Sequence, residues 1–87
     1  MKLLSQFRRN LRHARLNFGL TQQALAEKAG VSYKYYQDLE AGRLAGLTLA
    51  TVERLSGALG VEAWKLFHPG AIPESIRAKA WSSRMQR

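Results

Sequence analysis

The chain has 87 residues, no cysteine and a formal charge of +8. That length suits one domain with a modest core and leaves little room for a deep substrate cavity. The lack of cysteine excludes disulfides, thiolate metal sites and cysteine catalysis.

The elements follow from glycine punctuation and apolar spacing. Gly19, Gly30, Gly42 and Gly60 each follow a segment of helical periodicity, where a glycine past a helix end takes the left-handed conformation. Thr21, Ser32 and Thr48 stand where a hydroxyl can accept from a free N–H of a first turn. A first helix is predicted from Leu3 to Phe18, with Phe7, Leu11 and Ala14 inward. A second covers Gln22 to Ala29, with Leu25, Ala26 and Ala29 inward. A third covers Tyr33 to Ala41, with Tyr36 and Leu39 inward. A fourth covers Leu49 to Leu59, with Leu49, Val52, Leu55 and Leu59 inward. A short fifth runs from Glu62 to Phe67, where Leu66 and Phe67 close the core. No segment alternates as a strand would.

The expected architecture is all-α: a compact five-helix domain over residues 1–70 and a basic C-terminal tail over 71–87, partly ordered or helical. In that tail Pro73 suits the first turn of a helix. Ile72, Ile76 and Ala80 share one face, and Trp81 and Met85 a neighbouring one. Docking, self-association and disorder all remain open for it. Arg8, Arg9, Arg12 and Arg15 interrupt any apolar run near the start, so neither a signal peptide nor a membrane span is expected.

Charge is unevenly spread. Residues 1–20 carry five bases and no acid, residues 21–70 carry five of each, and residues 71–87 carry four bases against Glu74. Two basic ends around a balanced middle fit a polyanion partner, and equally a solvated basic surface.

The segment from Thr21 to Ser32 has a more specific design. Two helices are joined by a very short turn. Ala26 is small where they must cross, Gly30 supplies a positive φ, Val31 plugs the corner, and Ser32 starts the next helix. Such a pair holds its second helix out from the body at a fixed angle, the geometry needed to enter a major groove.

The run from Phe7 to Phe67 resembles the helix-turn-helix family of phage lambda-type repressors, Cro proteins and related XRE-type bacterial regulators. The resemblance is carried by Phe7, Leu11, Ala14 and Arg15, then by Gly19-Leu20-Thr21-Gln22. It continues through Leu25-Ala26, Gly30-Val31-Ser32, Leu39-Glu40, Gly42 and Ala58-Leu59-Gly60-Val61. Each piece alone is weak; their order and spacing are specific.

That resemblance implies roles for individual residues. Tyr33, Lys34 and Asp38, with Gln37 as a weaker candidate, match positions that read base edges. Lysine can donate to guanine and Asp38 can accept from cytosine. Gln22, Ser32, Tyr35 and Arg43 are implied phosphate contacts, which set register without reading sequence. Gln22 is also implied to brace the recognition helix. An Arg15–Glu40 pair is implied to tie the first helix to the end of the third, so that exchanging the two charges partly restores stability lost on reversing either.

Three features depart from the family pattern. Tyr36 replaces an aliphatic core residue, which suits a hydroxyl reaching water or a polar partner. The Gly42–Thr48 loop is longer and more apolar than is common. Trp64 stands where a polar residue is usual. Leu44, Leu47 and Trp64 are thus a candidate apolar patch for a homodimer, and equally a simple cover for the core.

The expected function is sequence-specific binding of double-stranded DNA by a cytoplasmic transcriptional regulator, a repressor acting by steric exclusion. The competing expectation is an antitoxin or anti-repressor, which would hold a second protein through the tail. No cofactor, metal or catalysis is expected. His13 and His68 are far apart in sequence, and neither has an acid or nucleophile at suitable spacing.

Overall fold

The computed structural model describes residues 2–73. They form four α-helices in chain order, α1 (Lys2–Phe18), α2 (Gln22–Ala29), α3 (Tyr33–Ala41) and α4 (Leu49–Leu59), and a 3₁₀ segment, Ala63–Leu66. There is no strand among the described residues.

The helix boundaries have local causes. Oγ1 of Thr21, Oγ of Ser32 and Oγ1 of Thr48 accept from the N–H groups of Ala24, Tyr35 and Thr51, at 3.0, 3.0 and 3.2 Å. Each satisfies one donor that the first turn leaves unpaired. The carboxyl ends close on glycine. At Gly30, with φ +74°, the chain turns so that the Val31 N–H reaches the Ala26 carbonyl at 3.0 Å. A side chain with a Cβ would be strained at that angle.

One buried cluster holds the elements together. Phe7, Leu11 and Ala14 of α1 meet Leu25, Ala26 and Ala29 of α2, Tyr36 and Leu39 of α3, and Val52, Leu55, Ala58 and Leu59 of α4. Leu66 and Ile72 close it from the carboxyl side, and Val31 packs against it from the turn between α2 and α3. Phe7 also stacks against Phe67, with ring centroids 5.0 Å apart. Ile72 belongs to this core although it lies past the His68-Pro69-Gly70 break.

Two expectations are corrected. Leu49, expected inward, is 80% exposed. Val52, Leu55 and Leu59 define the inner stripe of α4, and at 3.6 residues per turn Leu49 falls about a quarter turn away from it. The fifth helix is shortened to four residues of 3₁₀ geometry, with no side-chain cap at Glu62. Pro69 lacks an N–H and restricts His68, so the segment cannot lengthen. Of the tail faces expected from sequence, Ile76, Ala80, Trp81 and Met85 lie outside the described residues.

Asn10 is a buried polar residue on the inner stripe of α1. Its side-chain NH₂ donates to the carbonyls of Lys65, Leu66 and His68 at 3.1, 3.0 and 2.9 Å, and its Oδ1 accepts from Gln6 at 3.3 Å. One amide therefore caps the 3₁₀ segment and ties it to α1, satisfying carbonyls that the short segment cannot pair internally.

Candidate nucleic-acid interface

The α2–turn–α3 unit positions the candidate site. Ala26 is almost wholly buried where the two helices cross, and Gly30 and Val31 make the turn in two residues. Ser32 then starts α3. Its oxygen accepts the cap bond from the Tyr35 N–H, while its own O–H proton remains available for donation. Capping and phosphate contact are thus compatible on one hydroxyl.

The orientation of α3 is fixed by a buried polar network at its carboxyl end. Arg15 of α1 donates from Nε to Glu40 Oε2 at 3.0 Å and from Nη2 to Glu40 Oε1 at 2.8 Å. Its Nη1 donates to the Leu20 carbonyl at 2.9 Å. Gln22 Nε2 adds a bond to Oε1 at 3.2 Å, and the Tyr36 hydroxyl donates to Oε2. The pair is buried from both sides, with side chains 8% and 7% exposed.

Burial alone would push the Glu40 carboxyl up. The hydrogen bonds from Arg15 and Tyr36 and the charge of Arg15 outweigh it and hold the group below its ordinary value. Burial likewise opposes charge on Arg15, and Glu40 overcomes it, so the guanidinium is held above its usual range. Tyr36, fully buried, is pushed well above the ordinary tyrosine value by burial first and by the Glu40 charge second. It is therefore a fixed donor. The sequence left its hydroxyl to water or an edge partner; in the fold it reaches Glu40 inside the core.

The residues expected to read or grip nucleic acid are placed unequally. Tyr33 and Lys34 are exposed on α3. Asp38, one turn on, accepts on Oδ1 from Lys34 Nζ at 3.1 Å and from Arg43 Nη1 at 3.0 Å. The Lys34 hydrogen bond, followed by that of Arg43, keeps the Asp38 carboxyl below its usual range. Lys34, Asp38 and Arg43 thus form one chain of charges along α3 and into the following loop. Gln37 is half-buried. Tyr35 is half-buried against the core, and Gln22 is half-buried with its amide turned to Glu40.

The apolar residues divide. Leu44 and Leu47 are half-buried against the core. Leu47 lies in a groove with Leu3, Leu4, Leu49, Val52 and Phe67, and Trp64 is not part of its lining. Trp64 is 56% exposed elsewhere, with its indole N–H donated to Glu62 and its ring edge-on to His68. Leu3 and Leu49 are the exposed apolar residues beside Leu47, and the sequence reading did not include them in the patch. It also missed Asn10, although a lone amide on an apolar stripe was a visible signal.

Residues 11–63 match the helix-turn-helix family. A curated relative from Neisseria meningitidis serogroup B (strain ATCC BAA-335 / MC58), named as a Neisseria hypothetical transcription factor, is 35% identical over 60 residues. The match covers 69% of this chain and 56% of the relative, so the chain spans little more than half of that protein. The crystal structure of a hypothetical transcription factor from Neisseria aligns with a TM-score of 0.73 at 33% identity, covering 77% of this chain and 76% of that one.

Proposed function

The chain belongs to the helix-turn-helix family, and from that premise we propose that it is a DNA-binding regulator of transcription, acting as a repressor. In this reading α3 enters the major groove of double-stranded DNA. Tyr33 and Lys34 read base edges, with Gln37 at the margin of the contact. Asp38 either accepts from a cytosine or aims Lys34 and Arg43. Ser32, Arg43 and Gln22 grip phosphates on either side, and Tyr35 contributes from its half-buried position.

The observation that carries the proposal is the coupling of an exposed Tyr33–Lys34 surface to a buried strut from Arg15 to Glu40. The first supplies donors suited to base edges. The second fixes the helix that bears them, so little order has to be gained on binding. Repression then needs only occupancy of a site that polymerase requires, and no chemistry.

A homodimer completes the proposal. Leu3 and Leu49 stand exposed beside the Leu47 groove, an apolar surface suited to a second copy. Two copies would read half-sites about 34–36 Å apart, one turn of the duplex. Selection of bound sequences from a random duplex library tests both parts. A symmetric pair of half-sites is the expected result. No enriched sequence would remove specific binding, and a single unrepeated site with a monomer in sedimentation would remove the dimer.

A further inference from the structure

Helix α1 carries Lys2, Arg8, Arg9, Arg12 and Arg15 and no acid. Among the described residues, only Arg15 of these five has an ion-pair partner. Arg8, Arg12 and Arg15 stand at i, i+4 and i+7 and so share one face of α1. The structure locates both ends of that ridge. Arg15 is bonded to Glu40. The Arg8 guanidinium lies directly over Gly42, so closely that a Cβ at Gly42 would collide with it. The ridge therefore runs along the carboxyl end of α3, with the exposed Arg12 between Arg8 and Arg15.

The acids at this end of α3 are already committed. Asp38 takes Lys34 and Arg43, and Glu40 takes Arg15, Gln22 and Tyr36. Arg43 follows Gly42 directly in the chain, so the loop cation stands one residue from the glycine that Arg8 covers. The only side-chain hydrogen bond from Arg8 among the described residues goes to the Ser5 hydroxyl, at 3.4 Å. Positive charge is thus in excess here, on side chains whose backbone positions stand about 6 Å apart along one turn of α1.

We propose that Arg8 and Arg12, continuing from Arg43, form a second phosphate-binding track that grips duplex DNA backbone beyond the carboxyl end of α3. The proposal rests on the DNA-binding reading above and extends its footprint to α1. Guanidinium forks suit phosphate oxygens, and a phosphate beside Arg8 and Arg12 offsets positive charge that no acid of this face neutralises. Gly42 is held to glycine by its positive φ, and it leaves the space that the end of Arg8 occupies.

The test is the salt dependence of duplex affinity, measured with the full chain and its Arg8→Gln, Arg12→Gln, double and Arg8→Lys variants. Each phosphate contact contributes about 0.9 to the slope of log affinity against log salt. Loss of one contact should flatten the slope by about one, and the double variant by about two, with base preference unchanged. Arg8→Lys should keep the slope. If Arg8 also supports the carbonyl end of α3 and Arg8→Gln fails to fold, the exposed Arg12→Gln carries the same reading. An unaltered slope in a folded double variant or in Arg12→Gln overturns this proposal alone. Failure of the unaltered protein to bind duplex with salt-dependent affinity overturns it together with the DNA-binding reading.

Discussion

The Tyr36 hydroxyl donates to Glu40 Oε2, one turn along α3, on the same oxygen that accepts the Nε–H of Arg15. The other oxygen takes Arg15 Nη2 and Gln22 Nε2. Four donors from α1, α2 and α3 thus meet on one carboxylate, which uses its full accepting capacity. A buried charge is tolerable when paired and bonded in this way, and costly when one partner is lost.

Glu40→Gln or Arg15→Met is expected to lower stability by about 3–5 kcal/mol, because each leaves a buried group unpaired. Exchanging the two charges is expected to recover little, against the expectation from the pair alone. A carboxylate at position 15 would face the Leu20 carbonyl that now accepts from Arg15. A guanidinium at position 40 would face the Gln22 and Tyr36 donors. Urea unfolding of the single and exchanged variants measures this; full recovery in the exchanged protein would reduce the network to a simple ion pair.

The pH dependence follows from the sign of the Glu40 shift. Its folded pKa lies below the unfolded value, near 4.5. The unfolded chain therefore binds the proton first as pH falls. The contribution to stability is complete above that value and is lost as pH drops through the lower, folded one. Glu40→Gln should remove this part of the acid limb, seen as a flatter curve of unfolding free energy below about pH 4.5.

Tyr36 gives the opposite limb. Its pKa is raised above the ordinary 10.0, so its contribution is complete below that value and is lost as pH rises past it. Tyr36→Phe should cost about 2 kcal/mol at neutral pH, typical of a hydrogen bond to a charged group. The gap to the unaltered protein should narrow above pH 10. A constant gap from pH 7 to 11 would mean that burial and Glu40 do not hold the hydroxyl protonated in the fold.

Asn10→Ala is expected to destabilise by about 2–3 kcal/mol, through carbonyls left without a donor at the end of the 3₁₀ segment. Asn10→Asp should be worse, since a carboxylate would face three carbonyl oxygens. Chemical denaturation of both variants checks the order; equal stability of Asp and the unaltered Asn would show that the three bonds carry no weight.

On the proposed DNA-binding surface, Lys34→Ala should relax base preference at one position and cost roughly 1–3 kcal/mol, whereas Arg43→Gln should weaken all sequences alike. Asp38→Asn releases both cations and should do both at once. Selected-site profiles and affinities at fixed salt distinguish these patterns. An Asp38→Asn protein matching the unaltered one in both would show that the carboxylate neither reads a base nor organises its neighbours.

The sequence by itself determined the four α-helices, because their signals are local. A hydroxyl before a first turn, a glycine after a last one and apolar spacing each act within a few residues. Thr21, Ser32, Thr48, Gly30 and Gly42 therefore declared their roles in advance. The Arg15–Glu40 pair was legible through the family resemblance alone, since 25 residues separate its members.

Only the tertiary structure decided which distant groups share a neighbour. It brought Asn10 to the carbonyls of the 3₁₀ segment and the Tyr36 hydroxyl to Glu40 inside the core. It also set Arg8 over Gly42, turned Leu49 outward and joined Lys34 and Arg43 through Asp38. Each depends on how helices cross and on which polar atoms burial leaves in need of a partner, quantities that no stretch of chain specifies alone.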